Sequence, residues 1–223
     1  MEEQELIRLW KEQDAKIERT LQINSRLLRE MTDHKAKKAL NALIWFKSWG
    51  IVSFVFYLAL LGFALVIALI AAIGRHTSAG IYFIVSTAAI MLVNVKGLSD
   101  YIRHLIMAHS IDYNSSVVAI QQQLAKIRIS ILYHLRTMFL QIPFYTTIYL
   151  SDLWFPAKVS WVYMAFQVVF TGLSAGLAVW FYKNHKPENL HKKWLRSLVR
   201  DSGGKYIEKA MAFYDELETF KQE

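Results

Sequence analysis

The fold is decided by residues 49–74, which read WGIVSFVFYLALLGFALVIALIAAIG and contain no charged side chain. A helix needs about 20 consecutive apolar residues to cross the hydrocarbon core of a bilayer. Uncharged stretches at residues 76–95 and 159–182 are also long enough. The stretch at residues 137–151 is shorter, and we extend it on both sides. Arg136 can reach back to the interface on one side, and residues 153–157 are apolar apart from Pro156 on the other. The sequence therefore predicts four transmembrane helices, over residues 49–74, 76–97, 135–154 and 159–182.

The composition agrees with a membrane protein. Apolar residues make up 54 % of the chain, charged residues 20 %, and the mean hydropathy is +0.23. A positive mean hydropathy with that many charges requires the two classes to occupy different parts of the chain, which excludes a disordered protein. The chain has no cysteine, which excludes a disulfide scaffold, a Cys-based zinc site and a thiol nucleophile.

The distribution of basic residues predicts the orientation. Of the 26 Lys and Arg residues, all but Arg75 and Lys158 lie in residues 1–48, 96–136 and 183–223. Basic residues accumulate on the cytoplasmic side of a membrane. We therefore expect a multi-pass, all-α protein of the plasma membrane with both termini in the cytoplasm. Its outer loops are short, so any soluble activity belongs to the cytoplasmic segments.

The first cytoplasmic segment, residues 1–48, is predicted to be an amphipathic helix. Written as heptads, one seam position holds Ile7, Asp14, Leu21 and Leu28, and the other holds Trp10, Ile17, Asn24 and Met31. The favoured interpretation is a helix that packs on this protein's own cytoplasmic helices. The alternatives are a partner-binding helix or a homodimer seam whose register Asn24 sets, and a helix that lies on the membrane surface.

The second cytoplasmic segment, residues 98–134, is predicted to be a helical hairpin. Its turn lies at residues 110–116, where Asp112 or Asn114 could cap the second helix. One face of that helix repeats apolar residues at helical spacing: Val117, Ile120, Leu124, Ile127 and Ile131. This face needs a packing partner, and the N-terminal helix is the nearest candidate.

The third cytoplasmic segment, residues 183–223, is a basic stretch followed by an amphipathic helix. Its basic residues are predicted to bind anionic lipid: Lys183, Lys186, Lys192, Lys193, Arg196 and Arg200. A break at residues 202–204 precedes the predicted helix at residues 205–222. That helix either docks on the rest of the protein or is exposed to a partner.

No motif for catalysis is present. The chain lacks the phosphate-binding loops, the HExxH metal motif and the nucleophile elbow. Asp100 and His104 lie one helical turn apart near His109, and an Asp–His hydrogen bond is favoured over half of a metal site. We expect no enzymatic activity, no cofactor and no metal. We also expect no direct contact with nucleic acid, because the basic charge follows the topology.

Polar and small residues within the predicted spans favour contacts between helices. The internal amides are Asn94, Gln141 and Gln167, of which Gln141 and Gln167 are predicted to form hydrogen bonds between spans. Gly172 and Gly176 are spaced as G-x-x-x-G, which allows close packing within the bundle or across a homodimer.

Two stretches resemble a known family. They are LWKEQDAKIERTLQINSRLL at residues 9–28 and IDYNSSVVAIQQQLAKIRI at residues 111–129, the latter followed by a span that contains Ile142-Pro143-Phe144. They resemble bacterial inner-membrane proteins with an N-terminal cytoplasmic helix that are encoded beside extracytoplasmic-function sigma factors. The resemblance implies a membrane-tethered anti-sigma factor or regulator whose partner is a sigma factor. The zinc motif of many anti-sigma factors is absent here, so binding would depend on helix packing, with Trp10, Ile17 and Leu21 as the nearest candidates.

The sequence thus predicts a non-enzymatic regulatory protein of the inner membrane, which tethers a cytosolic partner through amphipathic helices. The predicted partner-binding residues are Ile7, Trp10, Ile17, Leu21, Asn24 and Leu28. One alternative is an oligomeric channel or transport component that assembles through the fourth span. A second alternative is a membrane scaffold that binds anionic lipid.

Overall fold

A computed structural model describes residues 2–75 and 80–220, and within them the protein is helical without strands. Helix α1 (Glu2–Arg75) is continuous through the predicted cytoplasmic helix and the predicted first span. No proline or glycine precedes Gly50, so nothing interrupts the helix at the boundary between the two. A helix of this length extends for about 110 Å at the usual rise per residue.

Helices α2 (Ile81–His109) and α3 (Val117–Met138) form the predicted hairpin. The cap of α3 differs from the prediction, because neither Asp112 nor Asn114 caps the helix. The hydroxyl of Ser116 accepts a hydrogen bond from the backbone N–H of Ala119 (3.2 Å), while the Asp112 carboxylate accepts one from the N–H of Asn114 within the turn (2.9 Å). The loop before α2, where the sequence predicts an outer turn, lies at residues 76–79 outside the described residues.

The predicted third span is wrong as a regular helix. Helix α3 ends at Met138, a 3₁₀ turn follows, α4 (Ile142–Tyr145) makes a single turn, and turns continue to Ser160. Two physical causes act together. Pro143 has no N–H to donate, and the Thr146 and Thr147 hydroxyls donate back to the carbonyls three residues earlier (2.7 and 3.2 Å), which competes with the helical ladder.

We call residues 139–160 the irregular segment. It nevertheless lies alongside α2 over much of that helix. Side-chain and backbone hydrogen bonds join the two at three levels: Gln141 with Asn94 (2.7 Å), Thr147 with Ser86 (2.8 Å) and Asp152 with Gly80 (2.5 Å). The chain then enters α5 (Trp161–Asn184), which Ser160 caps by accepting from the N–H of Tyr163.

Three helices are long and apolar enough to cross a membrane: α1, α2 and α5. We call residues 49–74, 81–97 and 161–182 of these helices the apolar layer. Large apolar side chains on its surface are exposed, among them Phe63, Ile73, Leu92, Trp161 and Leu173. A continuous exposed apolar surface of this kind is unfavourable in water and is typical of segments that face lipid.

The remaining helices form a second layer, which we call the bundle. It contains residues 33–47 of α1, residues 98–109 of α2, α3, α6 (Lys193–Val199) and α7 (Lys205–Phe220). The predicted face of α3 is buried in its core, together with Leu40 and Leu43 of α1 and Ile207 and Tyr214 of α7. Of the two alternatives for the last helix, the structure therefore has α7 docked.

Close approach between α1 and α2 marks the boundary between bundle and apolar layer. A Cβ atom at Gly50 would collide with the ring of Tyr101, so only glycine fits there. Lys47, one turn earlier on α1, is fully buried at the same boundary, and its Nζ donates to the carbonyl of Ser202 (2.9 Å). The turn before α7 is thereby fixed to α1.

Candidate functional site

The N-terminal part of α1 presents an exposed apolar surface beyond the bundle. The predicted partner-binding residues Ile7, Trp10, Ile17, Leu21, Asn24 and Leu28 are all exposed. Trp10 is 69 % exposed and Leu21 is 62 % exposed. We call these six residues with Asp14 and Met31 the N-terminal stripe. The favoured interpretation of the sequence, a helix packed on this protein's own helices, is wrong for this part of α1.

Hydrogen bonds of Arg29 and Asp33 attach α1 to the hairpin turn and to α7. The Arg29 guanidinium donates to the carbonyls of Ser115 (2.5 Å) and Tyr113 (3.3 Å) in the hairpin turn. One turn later Asp33 accepts a hydrogen bond from the Tyr214 hydroxyl of α7 (2.7 Å). Burial raises the pKa of Tyr214, and this hydrogen bond raises it further. Residues 5–28 precede these anchors and extend away from the bundle.

The heptad pattern identified one exposed face of α1 and missed a second. Leu9, Ile23 and Leu27 are also more than half exposed, and they lie on a flank of the helix outside the heptad seam. The four-residue spacing of Ile23 and Leu27 is the signal that could have identified this flank. The unpartnered surface is therefore wider than a two-position seam.

A cluster of polar side chains lies at the boundary between bundle and apolar layer. Asp100 pairs with Lys96 one turn earlier and lies 3.4 Å from His134 Nδ1, measured to its Oδ2 atom. The predicted bond between Asp100 and His104 is not formed, because the His104 Nε2 atom lies 3.1 Å from the Ser130 hydroxyl instead. The Lys47 ammonium lies 3.8 Å from the centre of the Tyr101 ring.

This cluster joins α1, α2 and α3 through the contacts of Lys47, Asp100 and His104. His109 bonds to the carbonyl of Leu105 in its own helix (2.8 Å) and is separate from Asp100. Among the residues that the structure describes, no group of three or more His, Cys, Asp or Glu side chains could hold a metal ion.

The amides predicted within the spans form a hydrogen-bond network. Asn94 Nδ2 donates to Gln141 Oε1 (2.7 Å), which joins α2 to the irregular segment. Gln167 is buried in α5, where its Nε2 donates to the Thr146 carbonyl (2.6 Å) and its Oε1 accepts from the Tyr149 hydroxyl (2.7 Å). The Gln167 amide thereby supplies a donor to a backbone carbonyl where the regular helical ladder is interrupted, as an apolar environment requires.

The G-x-x-x-G pair is not used for packing within this chain. A Cβ atom added at Gly172 or Gly176 would meet nothing within 4 Å. Neither glycine is buried in α5, so the prediction that the motif packs against other spans of this chain is wrong. The homodimer alternative stays a prediction.

The basic residues of the tail divide into two groups. Lys193, Arg196 and Arg200 line one cavity of about 520 Å³ together with Ser197, Asp201 and Lys205. Lys183, Lys186 and Lys192 do not line it. Arg196 and Arg200 also reach Glu208 of α7, with Nε–carboxylate distances of 3.3 Å each. The basic stretch read from the sequence did not include Lys205 and Glu208, because both follow the break at residues 202–204.

Comparison with known proteins adds no relative to this geometry: no family model, no curated protein and no solved structure matches the chain.

Proposed function

We propose that this protein is a non-catalytic, multi-pass protein of the bacterial inner membrane that holds a cytosolic protein through the N-terminal stripe. One observation carries the proposal. The same continuous helix is buried among α3 and α7 at residues 36–43 but leaves large apolar side chains exposed at residues 7–31. The stripe extends for about 36 Å at about 1.5 Å per residue.

The membrane placement follows from the exposed surface and the charges. The apolar layer presents aromatic and aliphatic side chains outward, while the basic residues concentrate in the bundle and the N-terminal helix. In this proposal the irregular segment is the third of four crossings, since it accompanies both α2 and α5, and both termini lie in the cytoplasm. The three levels of contact with α2 support that path.

The stripe has the spacing by which one helix docks in the groove of another protein. Apolar anchors recur at intervals of three, four and seven residues, which places them on one side of the helix. Burying a large apolar side chain completely contributes about 1.5–3 kcal/mol. The six apolar anchors of the stripe are together enough to hold a partner after the cost of association.

The occupant we favour is a different protein, because Asp14 opposes self-pairing. In a parallel homodimer through this seam, Asp14 would face Asp14 of the second copy inside an apolar interface, which is unfavourable. A groove with an apolar floor and a lysine or arginine opposite Asp14 would satisfy it. The family resemblance implies that the partner is a sigma factor, which makes this chain an anti-sigma factor in the proposal.

The test is purification of the tagged full-length protein from native membranes in mild detergent, followed by mass spectrometry and reconstitution with the purified partner. The double variant Trp10→Asp, Leu21→Asp removes two anchors and should weaken binding about 100-fold or more, from about 1.5–3 kcal/mol for each. The control Ala15→Asp, Gln22→Asp adds the same charge outside the two seam positions and should bind as the wild type does.

Two results would contradict the proposal. One is a complex that both double variants retain equally. The other is a wild-type protein that purifies only with further copies of itself. The latter would favour the channel alternative, although Asn94 and Gln167 of the apolar layer already form hydrogen bonds with residues 141 and 146.

A further inference from the structure

The tail contains an ion-pair cluster with more cations than anions. Glu208 accepts hydrogen bonds from Arg128 Nη2 (3.1 Å) and Arg196 Nε (3.3 Å), and its second oxygen forms an ion pair with Arg200 Nε (3.3 Å). One carboxylate cannot neutralise three arginines. Arg196 and Arg200 remain more than half exposed, so each can accept a second anion.

Two lysines extend this excess of positive charge. Lys193 and Lys205 line the same cavity of about 520 Å³ as the two arginines, and Ser197 also lines it. Within the described part of the chain neither lysine takes part in an ion pair. Asp201 is the one acid in the lining, so the cavity keeps a net positive charge.

The cavity lies at the level where headgroups would be. Trp194, which neighbours Lys193, stacks on Trp180 near the end of α5 with ring centres 5.5 Å apart. Tryptophan side chains concentrate at the membrane–water interface. Helix α6 is thus held against the end of the apolar layer, and its basic side chains project from that level.

We infer that Lys193, Arg196, Arg200 and Lys205 form a binding site for the phosphate of an anionic phospholipid in the adjacent leaflet. Arginine forks match phosphate oxygens in a bidentate manner. The volume of the cavity falls in the range of small-ligand sites. The inference rests on the membrane placement proposed above but not on the N-terminal stripe.

The experiment uses the full-length protein purified in detergent, with lipids added and bound copies counted by native mass spectrometry. The probes are phosphatidylglycerol, which is anionic, phosphatidylcholine, which carries a phosphate without net charge, and inorganic phosphate as competitor. The wild type should bind phosphatidylglycerol more tightly than phosphatidylcholine. The variant Arg196→Gln, Arg200→Gln should weaken phosphatidylglycerol binding about 30-fold, from about 1 kcal/mol for each basic residue.

Two further variants separate loss of the lipid site from loss of folding and from loss of charge alone. Lys193→Gln, Lys205→Gln leaves the pairs with Glu208 intact and should weaken binding by a similar factor, so a folding defect cannot cause the effect. The control Lys37→Gln, Lys38→Gln removes the same charge from exposed positions of α1 outside the cavity and the basic tail, and it should bind as the wild type does.

The inference is overturned if the cavity variants and the control change lipid binding equally, or if millimolar inorganic phosphate displaces the lipid completely. The second result would identify a site for free phosphate. A protein recovered from cells without detergent would instead refute the membrane placement, so the two failures are distinguishable.

Discussion

Substitution of Gly203 by alanine tests the contact that fixes the C-terminal helix to α1. Gly203 has φ of 106° in the turn between α6 and α7. A Cβ atom there would lie 2.8 Å from Leu43 Cδ1 and 3.4 Å from Lys47 Cε. The preceding residue, Ser202, accepts the hydrogen bond from buried Lys47. Alanine would therefore strain the backbone and also displace the packing on α1.

The expected magnitude has two parts. An L-residue in the left-handed region costs about 1–2 kcal/mol, and overpacking in a core costs about 1–3 kcal/mol. Gly203→Ala should lower the free energy of unfolding by about 2–5 kcal/mol, the sum of these ranges. Gly80 distinguishes the backbone cost from the overpacking cost. Its φ is 92°, but nothing lies within 4 Å of its Cβ position, so only the backbone cost applies. Gly80→Ala should cost about 1–2 kcal/mol.

Gly172→Ala is the third member of the series. It lies in a regular helix with nothing within 4 Å of its Cβ position, so alanine should stabilise by about 0.5–1 kcal/mol. Thermal unfolding in one detergent, followed by circular dichroism, measures all three. At about 2–4 °C per kcal/mol for this size, Gly203→Ala should lower Tm by about 4–20 °C. A Gly203→Ala loss no larger than that of Gly80→Ala would refute the packing of the turn against α1.

Two further predictions follow from single contacts, and a third follows from the topology. Gln167→Leu should lower the stability by about 1–2 kcal/mol, because it removes two hydrogen bonds to the irregular segment at about 0.6 kcal/mol or more each. Exposed Val168→Leu is the control, and an unchanged Tm of Gln167→Leu would contradict a stabilising role for these bonds. Tyr214→Phe should cost about 1.5–3 kcal/mol, as expected for a hydrogen bond to a carboxylate. Because the pKa of Tyr214 is raised, that difference should be constant from about pH 7 to about pH 9, below the unfolded-state pKa of tyrosine. A loss that shrinks over this window would contradict the hydrogen bond to Asp33. The chain has no cysteine, so Lys158→Cys should react with an impermeant maleimide from outside the cell and Lys37→Cys only after permeabilisation; the reverse pattern would invert the topology.

The apolar helices could be predicted from the sequence because each combines length with an absence of charge. α1, α2 and α5 contain most of the stretches at residues 49–74, 76–95 and 159–182. The break before α7 was equally visible, since consecutive glycines at residues 203–204 rarely continue a helix. These features depend on composition within a short window.

The irregular third segment could not be predicted from its composition. Residues 135–154 are apolar enough for a span, and the same letters would suit a helix. Their conformation depends on distant partners, chiefly Asn94 of α2, which bonds to the Gln141 side chain, and Gln167 of α5, which bonds to the Thr146 backbone carbonyl. A single proline such as Pro143 is tolerated in a transmembrane helix, so it does not by itself predict the loss of the helix.

The heptad pattern also could not predict where along α1 the packing of the bundle begins. Apolar residues continue at helical spacing from Ile7 to Leu43, so the pattern does not mark where self-packing begins. That point is set by Arg29 and Asp33, whose partners are 84 and 181 residues away in sequence. The residues before them are consequently free to meet another protein.

The most direct test of the docking proposal is photo-crosslinking from the stripe in intact cells. A photoreactive p-benzoylphenylalanine replaces Leu21 in one strain and Gln22, outside the seam on the same turn, in another. We predict that the Leu21 position yields one dominant adduct with a cytosolic protein and that the Gln22 position does not. An adduct from Leu21 that consists of a second copy of this chain, or equal adducts from both positions, would contradict a tethering function for the N-terminal stripe.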